Sequence, residues 1–329
     1  MSEIKKRPLG RTGFEVSELG LGTWPLGGTS YDAVGEDDAI ACIETYLDAG
    51  GNFIDTASNK AYGLAQFFIG KVLAKRKDRK NLFIASKTPN SASLDTLPNI
   101  QVDLEESLRV MGIDYLDLYY LHWPPSEADV MNRILDEYER FKAEGKIRAI
   151  GASIKGPSVT QETLDLCRQY IDTGRVDVIQ VVYSMFRQMN KEIFDYAVGK
   201  GVGIVARTAL ESGILTGKYR PGHRFTKGHR ANYSEQVQEA MLKAVEYVEN
   251  LALKPPYEKA AHVAIKFSLE PQEISSLLLG ARNAKQVEEL LHTVSLPDLA
   301  QGIVEKLKAD YGQATLQFNP GEYTPGMMK

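Results

Sequence analysis

Short runs of β-branched and aliphatic residues alternate with longer segments that carry apolar residues at helical spacing through most of this chain. The runs occupy residues 18–23, 52–57, 82–87, 116–122, 148–153, 177–184, 203–208 and 275–281. This alternation is typical of a parallel sheet built from βαβ units. Eight such units favour an α/β fold of the closed (β/α)8 type, a TIM barrel, over an open doubly wound sheet. Because no linker or composition break divides the chain, residues 1–329 are expected to form a single domain.

Three segments depart from the repeat. Residues 7–20 show apolar alternation on both sides of a polar turn, which predicts an N-terminal β-hairpin that caps the bottom of the barrel. Residues 211–234 are crowded with Gly, Pro, Arg and His, and a loop of this length in a compact barrel is usually functional. Residues 316–329 read as an irregular Pro/Gly-rich tail, placed either over an opening or free in solvent.

Composition limits the partners of the chain. The net charge of −4 disfavours nucleic acid and anionic membrane surfaces, so a small-molecule ligand is the better expectation. Two cysteines are too few and too scattered for a disulfide framework or a zinc site, and no metal site is expected. No apolar run approaches the roughly 20 residues of a membrane span, and the N-terminus lacks a signal-peptide core. A cytoplasmic protein is therefore expected, with its oligomeric state open.

Ionizable side chains end three adjacent predicted strands. Asp55, Lys87 and His122 each follow an apolar run directly, and the C-terminal strand ends of a (β/α)8 barrel carry its chemistry. A lysine paired with a carboxylate would favour the phenolate of a neighbouring tyrosine, making Tyr62 a usable general acid. His122 would donate a hydrogen bond to an incoming carbonyl oxygen. This arrangement suits carbonyl reduction, in which the oxygen gains negative charge.

The chain also resembles the aldo-keto reductase superfamily from about Arg7 to Leu291. The matching pieces, in chain order, are LGRTGFEVSELGLGTW, NFIDTA, LFIASKT, DYLDLYYLHWP, GKIRAIGAS, GILTGKY and LLLGARNAKQVEEL. The resemblance implies a (β/α)8 barrel with an N-terminal hairpin, the use of NADPH without a Rossmann domain, and a catalytic tetrad. Its members here would be Asp55, Tyr62, Lys87 and His122.

The tyrosine of the tetrad has two possible positions. The family commonly places it five residues after the aspartate, where this chain has Lys60, whereas Tyr62 is two residues further on. A two-residue insertion with Tyr62 as the acid is the favoured interpretation. If Lys60 instead replaces the tyrosine, the chain would hold the cofactor but reduce carbonyls poorly.

The resemblance also implies a set of cofactor contacts. On the nicotinamide side these are Gly22, Thr23, Trp24, Asp55, Ser153, Gln180 and Arg207. On the phosphate and adenosine side they are Leu215, Gly217, Lys218, Gly280, Arg282, Gln286 and Glu289. Because a guanidinium suits a 2′-phosphate, Arg282 favours NADPH over NADH. Three positions depart from the family pattern: Ile154 and Leu290 stand where asparagine is usual, and Arg207 where an aromatic ring commonly stacks on nicotinamide.

The leading hypothesis is an NADPH-dependent oxidoreductase that reduces an aldehyde or ketone to an alcohol. The polar 211–234 loop is a hint of a hydroxylated or anionic substrate, such as a sugar or a keto acid. A second hypothesis is a cofactor-binding regulatory or scaffold barrel with little turnover. A third is a barrel enzyme without redox chemistry that uses Lys87 as a base or Schiff-base nucleophile.

Overall fold

Eight parallel strands close into a barrel. The computed structural model describes residues 4–29, 32–89, 97–154 and 159–311. The barrel strands are β3 (Leu19–Gly22), β4 (Phe53–Asp55), β5 (Phe83–Lys87), β6 (Leu116–His122), β7 (Ile147–Ser153), β8 (Val178–Val182), β9 (Gly203–Arg207) and β10 (Ile274–Gly280). Their spatial order is β10-β3-β4-β5-β6-β7-β8-β9. Each lies within or beside one of the eight predicted runs, so the predicted (β/α)8 fold is confirmed.

Helices surround the barrel. They are α1 (Glu36–Asp48), α2 (Asn59–Tyr62), α3 (Ala65–Leu73), α4 (Leu97–Met111), α5 (Ala128–Ala143), α6 (Gln161–Asp172), α7 (Phe194–Gly199), α8 (Glu235–Ala252), α9 (Ala260–Leu269), α10 (Ala284–Ser295) and α11 (Gln301–Asp310). The helical spacing in the sequence marks their buried faces: in α1, Ala39, Ile43, Tyr46 and Leu47 are all buried.

The predicted hairpin precedes the barrel and closes its lower end. Strands β1 (Lys6–Pro8) and β2 (Glu15–Ser17) pair antiparallel, and Leu9 and Val16 beside them are fully buried. Gly10, at φ +51°, lies so close to β9 that an added Cβ would stand 2.2 Å from the Gly203 nitrogen. The turn of the hairpin therefore tolerates only glycine at this position.

Along each barrel strand, every second side chain faces the barrel interior, and these inward-facing side chains form one row per strand. The apolar lower part is formed by Leu9, Val16, Phe53, Phe83, Ala85, Leu118, Tyr120, Ala149, Val178, Val205 and Leu278. Continuing five of these rows by two residues toward the C-terminal strand ends reaches Asp55, Lys87, His122, Gln180 and Arg207. The fold therefore gathers the predicted site residues at one rim.

The segment 211–234 is partly helical rather than a plain loop. It contains two 3-10 helices, Glu211–Thr216 and His229–Asn232, and leads into α8 through Ser234, whose hydroxyl accepts a hydrogen bond from the backbone nitrogen of Val237. The tail predicted at 316–329 lies outside the described residues, and the single domain over 1–329 stays a prediction. Among the described helices, none is long and apolar enough to cross a membrane.

Candidate active site

A buried ion pair lies at the centre of the rim. The Lys87 ammonium donates hydrogen bonds to the Asp55 carboxylate and, at 2.8 Å, to the Thr56 carbonyl oxygen. Both charged side chains are almost completely buried. Burial lowers the pKa of Lys87, and the neighbouring Asp55 carboxylate opposes that shift. The carboxylate thus stabilises the ammonium in a site from which water is largely excluded.

A hydrogen-bonded chain connects this pair to β8 and β7. The Gln180 side-chain nitrogen donates to Asp55 Oδ2 at 2.8 Å, and the Ser153 hydroxyl donates to Gln180 Oε1 at 3.0 Å. All three side chains are buried. The chain orients the second carboxylate oxygen and leaves the first for Lys87.

Tyr62 lies beside the ion pair, whereas Lys60 does not. The Lys87 Nζ is 5.3 Å from the centroid of the Tyr62 ring, which is also 6.3 Å from the centroid of the His122 ring. Lys60 donates to Asp103 Oδ1 at 2.6 Å, and its side chain is 60% exposed. Because residues two apart on a helical turn point in nearly opposite directions, α2 directs only one of them at the rim.

His122 is held as a neutral imidazole. Burial, reinforced by the charges of Lys87 and Arg207, lowers its pKa to about 3. Its backbone nitrogen donates to the Thr88 hydroxyl at 3.0 Å, and its side-chain Nδ1 has no hydrogen-bond partner among the described residues. The following residue, Trp123, has φ 55°, which is uncommon for a residue other than glycine.

The residues predicted to contact the nicotinamide lie around this cluster. Gly22 pairs with Asp55 on β4 and with Gly280 on β10, and both the hydroxyl and the backbone nitrogen of Thr23 donate to the Asp55 carbonyl oxygen at 3.0 Å. The Trp24 ring lies 6.4 Å from that of Tyr62. The structure thus brings this side of the predicted cofactor site together with the tetrad.

The residues predicted to contact the cofactor phosphates follow β9 and β10, which are neighbours in the barrel. Gly217 is left-handed at φ +73°, and exposed Lys218 follows it. Leu215 is completely buried, so it exposes no atom to a ligand. Arg282 donates to the Asp32 carbonyl oxygen at 2.8 Å, while its Nε has no hydrogen-bond partner among the described residues. An orphaned guanidinium nitrogen beside a helix N-terminus fits a phosphate group.

The remaining predicted contacts lie on the first turns of α10. Gln286 accepts a hydrogen bond from the Arg282 backbone nitrogen at 2.9 Å, and Glu289 lies 3.4 Å from the ammonium of Lys259. Leu290, the departure from the family pattern, is buried. Gln286 therefore orients the loop of Arg282, whereas Leu290 offers no polar atom to a ligand.

Sequence reasoning missed two features of the rim. Tyr120 lies beneath Lys87, with its ring centroid 5.5 Å from Nζ; its position two residues before His122 on the same strand was the available signal. Arg187 and Glu211 form a second buried ion pair, in which Arg187 Nε donates to Glu211 Oε1 at 3.0 Å. No local pattern in the sequence links these two residues.

Comparisons with known proteins agree with this geometry. The model of the aldo/keto reductase family matches residues 18–309, and the chain belongs to that family. It is 32% identical over 297 residues to the aldo-keto reductase YhdN of Bacillus subtilis, covering 85% of both chains. It is 32% identical over 316 residues to the NADH-specific methylglyoxal reductase of Escherichia coli, covering 87% of this chain and 92% of the relative.

A solved structure shares the fold over nearly the whole chain. It is the holo form of an aldo-keto reductase from Bacillus halodurans, with a TM-score of 0.74 and 25% identity, covering 95% of this chain and 99% of the other. Proteins of the family are oxidoreductases that use nicotinamide cofactors, which is the chemistry that the rim residues suit.

Proposed function

We propose that this protein reduces an aldehyde or ketone to an alcohol with NADPH, with Tyr62 as the general acid. The observation that carries the proposal is the convergence of Tyr62, His122 and the Asp55–Lys87 pair at the C-terminal rim of the barrel. When bound, the reduced nicotinamide would supply the hydride.

The rim residues would each have a distinct task. Neutral His122 would donate a hydrogen bond to the substrate carbonyl oxygen and orient it without transferring a proton. Tyr62 would give its proton to that oxygen as negative charge develops, and the Lys87 ammonium would stabilise the resulting phenolate. Asp55 would keep Lys87 protonated, and Gln180 and Ser153 would hold Asp55 in place.

The same contacts argue against Lys87 as a Schiff-base nucleophile. Its ammonium is completely buried and already donates to the Asp55 carboxylate and the Thr56 carbonyl. Attack on a carbonyl would require the nitrogen to give up both of these contacts and to present a free lone pair to a substrate.

NADPH is the proposed cofactor because Arg282 offers a partly orphaned guanidinium near the N-terminus of α10. NADH is the alternative, since one relative is named as NADH-specific. We expect NADPH to bind roughly tenfold more tightly than NADH, because a charge-assisted bidentate contact is worth more than about 1.4 kcal/mol. In Arg282→Met that preference should disappear.

The experiment is a titration followed by a turnover assay. The chain has two tryptophans, Trp24 and Trp123, and both lie at this rim, so quenching of their fluorescence reports NADPH and NADH binding. A panel of aldehydes is then added and the absorbance of the reduced cofactor is followed. Binding with oxidation supports the proposal. Binding without oxidation by any aldehyde would instead favour a regulatory barrel, and absence of binding would refute both functions.

A cytoplasmic location is also proposed, supported by the two buried, unpaired cysteines Cys42 and Cys167.

A further inference from the structure

Of the described cations at the C-terminal rim, Lys87, Arg187 and Arg207 are not equally compensated. Lys87 is paired with Asp55, and Arg187 with Glu211. Arg207 makes no ion pair with any described residue. Among the described residues it donates hydrogen bonds to neutral oxygens, those of the Ile154 carbonyl at 3.0 Å and the Thr208 hydroxyl at 3.3 Å.

The position of Arg207 places this charge among the catalytic side chains. It continues the inward-facing row of Val205 on β9. Its guanidinium reaches past β8 to the Ile154 carbonyl, which directly follows Ser153, and Ser153 pairs with His122 across β6 and β7. This charge acts on the catalytic side chains, because it contributes to the lowered pKa of both Lys87 and His122.

The net charge of the site follows from these pairings. Asp55 and Lys87 cancel, His122 is neutral because its pKa is about 3, and an arginine stays protonated in proteins. Among the described groups around the Asp55–Lys87 pair, about one positive charge therefore remains uncompensated, on Arg207.

A nicotinamide that reacts at this rim must lie close to that charge. The proton donor must be within about 3 Å of the carbonyl oxygen, and the hydride-donating carbon about 3–3.5 Å from the carbonyl carbon. The ring would consequently lie within several ångströms of the Tyr62 hydroxyl, in the field of Arg207. Oxidised nicotinamide carries a positive charge and reduced nicotinamide carries none.

We propose that Arg207 makes the site select the redox state of its cofactor, binding the reduced form more tightly than the oxidised form. The inference rests on the proposed function. By thermodynamic linkage, the tighter binding of NADPH shifts the equilibrium between bound reactants and products toward NADPH and the carbonyl. The weaker binding of NADP+ aids release of the oxidised cofactor after turnover. Arg207 is thus a determinant of the redox state of the bound cofactor rather than a proton donor.

The test measures binding without substrate. Dissociation constants for NADPH and for NADP+ are determined by tryptophan quenching for the wild type, Arg207→Met and Arg207→Lys. A unit charge several ångströms away in a partly screened site changes the affinity for a cation by about tenfold. In Arg207→Met the ratio of the NADP+ constant to the NADPH constant should fall by about tenfold, chiefly through tighter NADP+ binding. Arg207→Lys keeps the charge and should keep most of the ratio.

Arg282→Met is the matched control, since it removes a cation from the predicted phosphate side. It should weaken both forms equally and leave the ratio unchanged. An unchanged ratio of the two dissociation constants in Arg207→Met would overturn the inference. If both NADPH and NADP+ bound equally more weakly, Arg207 would instead be a contact of a cofactor phosphate. If Arg207→Met does not fold, Arg207→Gln supplies the neutral variant. Failure of the proposed function is distinguishable, because the wild type would then bind no cofactor or oxidise none.

Discussion

The two ends of the barrel differ in how completely their polar groups are paired. At the N-terminal ends of the strands, the Asp177 carboxylate accepts hydrogen bonds from Arg11 at 3.1 Å, from Lys142 at 3.0 Å and from the backbone nitrogen of Ile150 at 3.0 Å. The hairpin seals the same end with Leu9, which is completely buried. Arg79 Nε is one buried atom at this end that has no hydrogen-bond partner among the described residues, so this end is a largely paired, apolar closure.

The C-terminal end contains buried polar atoms that lack hydrogen-bond partners among the described residues, and it contains residues with uncommon backbone conformations. Buried atoms without a hydrogen-bond partner among the described residues include Thr56 Oγ1, Ser58 Oγ, Tyr120 OH and His122 Nδ1. The described residues other than glycine with positive φ are Trp123, Thr208, Glu211 and Ser212, and all of them follow the C-terminal end of a strand. Such features cost stability and are retained where function needs them. Substitutions at the two ends should therefore separate activity from stability.

The largest effect is expected for Tyr62→Phe. Removing the hydroxyl removes the proton donor, and kcat/KM for an aldehyde should fall about a thousandfold, while NADPH affinity and the free energy of unfolding stay near wild type. Lys60→Ala is the matched control and should keep kcat/KM within about twofold. A strong loss in Lys60→Ala with little change in Tyr62→Phe would give the catalytic role to the other residue of α2.

Leu9→Ala tests the opposite end. It leaves a cavity beneath the barrel interior and should lower the free energy of unfolding by about 3 kcal/mol, as measured by urea denaturation. Its kcat/KM at a temperature where it is folded should match that of the wild type. A loss of activity without a loss of stability would mean that the two ends are not separable.

Asp177→Asn should have a smaller effect on stability. The amide accepts more weakly from Arg11, Lys142 and the Ile150 nitrogen than the carboxylate does, so two cations lose their charged partner. The expected cost is about 2 kcal/mol of unfolding free energy, again with unchanged kcat/KM. Unaltered stability would show that the Asp177 carboxylate contributes little to holding the hairpin.

The smallest effect concerns pH. His122 has a folded pKa of about 3, well below the unfolded value of about 6.5. As pH falls below the unfolded value, only the unfolded state takes up the proton. His122 then lowers the free energy of unfolding, by at most about 1.4 kcal/mol per pH unit. That loss continues down to the folded pKa, and above the unfolded value His122 contributes no pH dependence.

Urea denaturation at several pH values between 7 and 5 checks this slope. It should be shallower in His122→Gln, which cannot titrate, and kcat/KM of the wild type should show no inflection from His122 over the same range. Equal slopes in the two proteins would mean that His122 titrates normally in the folded state.

Much of the rim was predictable because strands repeat every two residues and neighbouring strands end together. Asp55, Lys87 and His122 could be placed side by side on that basis alone. The choice between Lys60 and Tyr62 could not be made from spacing, since it depends on the rotation of the short helix α2. The contact of Arg207 with Ile154 and the pair of Arg187 with Glu211 depend on loop backbone, including positive φ angles that sequence patterns do not encode.

The most direct test of the central claim, that the C-terminal rim promotes hydride transfer from NADPH to a carbonyl, uses NADPH deuterated at both C4 positions. The purified protein is incubated with this cofactor and an aldehyde, and the alcohol is analysed by mass spectrometry. The account predicts one deuterium on the carbinol carbon, appearing far more slowly with Tyr62→Phe. A protein that binds NADPH but forms no deuterated alcohol from any aldehyde of the panel would contradict it.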